Sequence, residues 1–154
     1  MRNQVFLDKE IGFKFTTKEK TITTTDLLTY YNLLEQKEDL FISETFAKST
    51  TMNFKGKIVS GFFLIGVMFA ELDVPTLGGG YTFNAVLMEM TDIKFMSPAY
   101  EGDDLRVSGE LIDKRTTSKG HVVVKWRWTL INQNDEAIVT GVNTELFSKD
   151  LQFS

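Results

Sequence analysis

The sequence predicts an α+β domain in which an antiparallel sheet wraps around one central helix. Three observations predict it. Residues Lys57 to Glu71 read Lys-Ile-Val-Ser-Gly-Phe-Phe-Leu-Ile-Gly-Val-Met-Phe-Ala-Glu, a helix-length run that is apolar on every side. A helix without a polar face has to be enclosed. After Gly80 the apolar period changes from helical to alternating, and four β-rich segments follow one another. Short polar turns separate the last three, as antiparallel neighbours require. One enclosed helix and a succession of antiparallel strands have one economical arrangement, a sheet curled around the helix.

The elements follow in chain order. An early strand around Ile11 to Phe15 is expected to complete the sheet. Thr23-Thr-Thr-Asp26 offers hydroxyl and carboxylate caps ahead of Leu27, Leu28, Tyr30, Tyr31, Leu33 and Leu34, whose spacing gives an amphipathic helix. Ser43 and Glu44 start a second short helix that carries Phe46 and Ala47 inward. Ser49 to Lys57 is polar and broken by glycine, so it reads as a loop. Ser60 caps the central helix, which ends near Asp73 and is stopped by Pro75 and Gly78-Gly-Gly80. The strands are then Tyr81 to Pro98, Asp104 to Arg115, His121 to Asn132 and Ala137 to Phe147, with turns at Thr117-Ser-Lys-Gly120 and Asn132-Gln-Asn-Asp135.

At 154 residues, 42% apolar and 25% charged, the chain is expected to form one domain over residues 1–154 with a core of its own. A net charge of −4 with no clustered Lys and Arg argues against nucleic acid. With no cysteine and a single histidine, neither a thiolate nor a multi-histidine metal site is available, and no cofactor is expected. Asp8, Lys9 and Glu10 stand where a signal peptide needs its apolar core, so a cytoplasmic protein is expected. The apolar run from Gly61 to Ala70 is too short to span a bilayer, and no membrane partner is expected.

Three segments carry a family resemblance: the capped first helix, the Gly-Lys-Ile-Val-Ser-Gly61 approach to the central helix, and Phe95-Met-Ser-Pro-Ala-Tyr-Glu-Gly-Asp-Asp-Leu105. In that order and spacing the chain resembles the MaoC-like branch of the hotdog fold, which binds acyl-CoA or acyl-carrier-protein thioesters and mostly hydrates or dehydrates them. The signature of its (R)-specific enoyl-CoA hydratases runs aromatic, one or two residues, aliphatic, small, Gly, Asp, any, Asn, Pro, aliphatic, His, five residues, Ala or Ser. Tyr31, Leu33, Leu40 and Ala47 fit the aromatic, the two aliphatic and the closing small positions. The catalytic Asp position holds Gln36, the His position holds Phe41, and Glu38-Asp39 replaces Asn-Pro.

Neither an amide nor a phenyl ring exchanges a proton at neutral pH. Loss of a general acid or base costs about 10²–10⁴-fold in rate. The binding half of the site has its counterpart, because the resemblance implies that a backbone N–H of Gly61 or Phe62, beside Ser60, receives the thioester carbonyl oxygen with help from the helix dipole. The resemblance thus implies an acyl-thioester protein of the hydratase and dehydratase class. Its substrate-binding candidates are Ser60, Gly61, Phe62 and Phe41, the last lining or plugging the acyl tunnel together with Phe63.

Other candidates each compete with a plainer reading. Glu38 and Asp39 lie beside the lost dyad and offer a relocated acid/base pair, against a solvated charge pair on a loop. Glu71 suggests the helix carboxylate of hotdog thioesterases, although it stands at the end of the helix that disfavours a carboxylate. His121 opens a strand and reads more simply as a turn or surface residue. Lys125 and Arg127 share one strand face, suited to a phosphorylated pantetheine arm, while Trp126 and Trp128 share the other; ordinary alternation explains both. Gly78-Gly-Gly80 lacks the Lys and Ser/Thr of a phosphate loop and reads as a connector. The resemblance implies a homodimer, or a heterodimer with a dyad-bearing hotdog subunit, and an isolated protomer would expose strand edges.

Overall fold

The structure, a computed structural model, describes residues 9–73 and 85–148, with residues 71–73 described by their backbone alone. Strands β1 (Lys14–Thr16) and β2 (Lys20–Thr21) precede four helices, α1 (Thr24–Leu33), α2 (Asp39–Ile42), α3 (Glu44–Ser49) and α4 (Gly61–Asp73). Strands β3 (Ala85–Phe95), β4 (Asp104–Thr116), β5 (Val122–Ile131) and β6 (Ala137–Phe147) follow. They form one antiparallel sheet in the order β1-β4-β5-β6-β3, with β2 also paired to β4. Pro75, Gly78-Gly-Gly80 and the expected strand start at Tyr81 lie outside the described residues.

Alternation along β4, β5 and β6 sends Val107, Leu111, Trp126, Trp128, Leu130 and Val139 to the inner face, where all are fully buried. The register sets Trp128 between Gly109 of β4 and Gly141 of β6. A Cβ at Gly141 would lie 2.7 Å from the Trp128 ring and 2.5 Å from Ile93, and one at Gly109 would lie 2.3 Å from the Phe15 ring. Both glycines therefore admit aromatic rings to the core. Gly109→Ala is expected to destabilise the protein by about 1–3 kcal/mol, because Phe15 can yield only by leaving its contact with Trp126. A midpoint of urea unfolding unchanged from the wild type would contradict this.

Thr23 caps α1 in a reciprocal box. Its hydroxyl accepts the Asp26 N–H at 3.1 Å, and the Asp26 carboxylate accepts the Thr23 N–H at 3.1 Å. The Thr23 hydroxyl, 2.8 Å from the Asp26 carboxylate, and then the Thr23 N–H, more than the nearby Lys20, hold the Asp26 carboxyl below its ordinary pKa. Ser43 caps α3 in the simpler way, accepting the Phe46 N–H at 3.2 Å.

Four details depart from the pattern reading. On α3, Ala47 is buried as expected, but Phe46 lies on the adjoining face and is exposed, since so short a helix buries one position. The first strand begins at Lys14, because Gly12 adopts φ 93° and turns the chain there. The one-turn helix α2 has no periodic signal in the sequence, being too short to carry one. Finally, α4 is not enclosed all round. It buries Phe63, Leu64, Val67 and Met68 and leaves the stripe Phe62, Gly66 and Ala70 exposed, because the sheet covers one side and α1 reaches only part of the other. The α1 contact is an edge-to-face pair of Tyr30 with Phe63, 5.2 Å between centroids.

Candidate functional site

The three segments that carry the family resemblance meet at the start of α4. The Val59 N–H donates to the Ala99 carbonyl at 2.9 Å, and Ile58 bridges Tyr100, so the approach to α4 is strapped to the segment after β3. Glu101 joins the third element, accepting the Thr24 hydroxyl of α1 while standing 4.0 Å from the Lys57 ammonium. Ile58 also donates its N–H to the Leu40 carbonyl of α2 at 3.1 Å. The first turn of α4 is thereby fixed against α1, α2 and the sheet. Such a helix start presents backbone N–H groups that have no partner within the helix.

Gln36 reaches that turn. Its backbone N–H donates to the Tyr31 carbonyl at 2.9 Å, after Glu35 has turned through φ 50°, and its side-chain Nε2 donates to Ser60 Oγ at 3.5 Å. Its Oε1 is buried and has no hydrogen-bond partner. The Ser60 N–H donates to the Tyr31 hydroxyl at 3.3 Å. Burial pushes the Tyr31 phenol above its ordinary pKa, and the Ser60 N–H offsets this in part. The Tyr31 ring stacks on Phe41 at 6.0 Å. Residues 31, 36, 41 and 60 thus form one cluster at the positions the resemblance marks.

An open cleft of about 820 Å³ lies against this cluster, lined by Tyr30, Leu34, Gln36, Lys37, Glu38 and Phe62. Glu38 borders it as the exposed residue ahead of α2; Asp39, the first residue of α2, does not. Phe41 faces away from the cleft and borders a cavity of about 90 Å³ with Leu27, Tyr31 and Ile58. Gly61 is packed under Phe95, whose ring atom lies 2.6 Å from where a Cβ would be. Phe95 and Phe62, both exposed, flank the helix start. A separate groove of about 400 Å³ between α1 and α4 is lined by Tyr30, Leu33, Phe63, Gly66 and Ala70 among others.

The remaining candidates lie elsewhere. His121 closes the β4–β5 turn, its N–H on Thr117 Oγ1 at 3.1 Å and its carbonyl accepting the Thr117 N–H at 2.8 Å. Arg127 is turned outward, 3.8 Å from Glu110, and Lys125 shares its face, while Trp126 and Trp128 are fully buried. The Glu71 side chain lies outside the described residues. Two contacts escaped the sequence reading, in which Tyr31 is a helix position that fits the aromatic of the signature, and Phe95 a strand residue that opens the third resembling segment. Their contacts with Ser60 and Gly61 join residues far apart in the chain, which no local signal marks.

No protein-family model and no curated protein matches the sequence. Solved structures do match. The chain aligns with a monoamine oxidase regulatory protein from Archaeoglobus fulgidus over 95% of each chain, with TM-score 0.81 and 26% identity. It aligns with the MaoC-like dehydratase from Rhodospirillum rubrum over 92% of this chain and 94% of that one, with TM-score 0.76 and 13% identity. A Mycobacterium tuberculosis protein with a double hotdog fold matches over 96% of this chain but 44% of its own, with TM-score 0.78 and 13% identity. The chain has the hotdog fold found among the MaoC-like dehydratases.

Proposed function

We propose that this chain binds the acyl thioester of coenzyme A or of an acyl-carrier protein in the cleft beside the first turn of α4. In this reading it is a MaoC-like subunit without the proton-transferring half of a hydratase site. One observation carries it: the Gln36 amide stands at the family's Asp position, in the cleft wall, and hydrogen-bonds Ser60 at the start of α4. A thioester carbonyl placed there accepts from the Gly61 or Phe62 N–H, in the direction favoured by the helix dipole. Gln36 adds an unused acceptor, its Oε1, yet neither takes nor gives a proton. The site holds a substrate better than it turns one over.

Butyryl-CoA at roughly 100-fold above its Kd is then expected to stabilise the protein by about 2.7 kcal/mol, read as a rise of several degrees in melting temperature. Gly61→Val, which drives a side chain into Phe95 at the helix start, is expected to remove that shift. Acyl-CoA thioesters and acyl-carrier proteins that all leave the melting temperature unmoved would end this reading.

A second hotdog unit completes the proposal. Strand β3 ends the sheet and carries exposed Val86, Leu87 and Met88, an edge suited to pairing with another sheet. The double hotdog neighbour, of which this chain matches less than half, has two such units in one polypeptide. The partner is a second copy or, for turnover, a dyad-bearing hotdog subunit. Sedimentation at micromolar concentration is expected to give a dimer, and a monomer would count against the paired form. A second functional reading, a hydratase with relocated acid/base groups, is favoured by Glu38 alone, which borders the same cleft. A thioesterase acting through Glu71 has no comparable observation behind it.

A further inference from the structure

The inner wall of the sheet holds a buried polar chain that the cleft does not use. Trp128 Nε1–H of β5 donates to Asn143 Oδ1 of β6 at 2.9 Å, and Asn143 Nδ2–H donates to Glu145 Oε1 at 3.2 Å. All three side chains are essentially inaccessible, Glu145 at 1% exposure. Its second carboxyl oxygen, Oε2, is buried without a hydrogen-bond partner. The Trp126 indole N–H lies near the same carboxyl and, like Asn143, favours its charged form.

Among the described residues, the neighbours of Glu145 are uncharged. Across the sheet from Glu145 stand Val124 on β5 and Leu87 on β3, and its inward neighbours on β6 are Asn143 and Phe147. Val67 and Met68 of α4 belong to the same apolar core. Glu89 of β3 reaches Thr144 instead. Among the described residues no charged group contributes to the titration of Glu145. A carboxylate left in an apolar core with only uncharged donors beside it is costly, whereas the neutral acid is not.

We infer that Glu145 and the Asn143–Trp128 chain form a proton-operated latch in the sheet wall, packed while Glu145 is protonated and rearranged around the two tryptophans once that proton passes to water. The latch is independent of what occupies the cleft. Burial, outweighing the opposite pull of Asn143 and Trp126, raises the Glu145 carboxyl from its ordinary 4.5 to about 7. The folded protein therefore holds a proton that the unfolded chain has lost between those values. The stability from this fit is complete below about 4.5 and is lost as pH rises through about 7.

The two tryptophans of the chain, Trp126 and Trp128, both belong to this cluster, so intrinsic tryptophan emission reports on it selectively. Titration of the full chain from about pH 5 to about pH 9 is expected to change the emission in one reversible step, with far-ultraviolet circular dichroism unchanged. The step should centre near 7. Glu145→Gln is expected to abolish the step and hold the low-pH spectrum. His121→Gln, which removes the sole histidine, is expected to leave it in place. A flat wild-type titration overturns the inference, as does a step that survives Glu145→Gln or vanishes in His121→Gln. If Glu145→Gln does not fold, infrared difference spectra of the wild type decide: loss of a protonated-carboxyl C=O band across the step supports the latch, and no such loss overturns it.

Discussion

Assayed alone, the purified protein is expected to hydrate crotonyl-CoA at least about 10⁴-fold more slowly than an (R)-specific hydratase that carries the Asp and His. Addition of water across the enoyl bond needs a base for the water and an acid for the α-carbon. Of the two positions that the resemblance marks for these groups, one holds an amide tied to Ser60, and the other holds a phenyl ring turned to an inner cavity and stacked on Tyr31. Two such losses, at about 10²–10⁴-fold each, account for the expected deficit. Carbonyl polarisation by the α4 start remains available and is insufficient without proton transfer. Loss of the enoyl absorbance is the readout. A rate approaching that of the dyad-bearing enzyme would sink the binding-subunit reading. If that turnover fell on Glu38→Gln or Asp39→Asn, it would be assigned to the relocated pair, of which Glu38 borders the cleft.

Trp128→Ala is expected to cost about 3–5 kcal/mol of folding stability, a large part of what a domain of this size possesses. The indole is fully buried, stands in register between Gly109 and Gly141, and fills the space that Gly141 leaves. Neither glycine can move a side chain into the void. Removal also strips the donor from Asn143 Oδ1, leaving a buried carbonyl unpaired at a further cost of about 1–3 kcal/mol. Trp128→Phe keeps most of the volume and loses the hydrogen bond, so its deficit isolates the second term. Urea unfolding with an unchanged slope measures both. A loss under about 1 kcal/mol for the alanine variant would mean that the wall collapses around the gap, contrary to the close packing at Gly141.

The local chemistry of the sequence determined the α+β class and most of the elements. The capping box at Thr23 and Asp26, the Ser43 cap, the apolar run after Ser60 and the polar turns after β4 and β5 each act within a few residues, so they can be read in one pass. The alternation in β5 also placed Trp126 and Trp128 inward and Arg127 outward before any coordinates. That positions 36 and 41 carry no titratable group was equally plain, because it depends on residue type alone.

Only the tertiary structure decided which way these residues face. Phe41 turned from the cleft because Tyr31 offers it a stacking partner inside, and Glu38 reached the cleft while Asp39 did not. Tyr31 became a hydrogen-bond partner of Ser60, 29 positions away, and Phe95 covered Gly61. Phe62, Gly66 and Ala70 stayed exposed on a helix whose composition calls for full enclosure, since the sheet covers only one side of it. Glu145 entered the core on the face of β6 that alternation gives it together with Asn143, and the register with β5 set Val124 opposite it and Trp126 opposite Asn143. Composition and periodicity specify which surfaces must be buried; contacts between distant segments, which carry no local signature, settle what buries them.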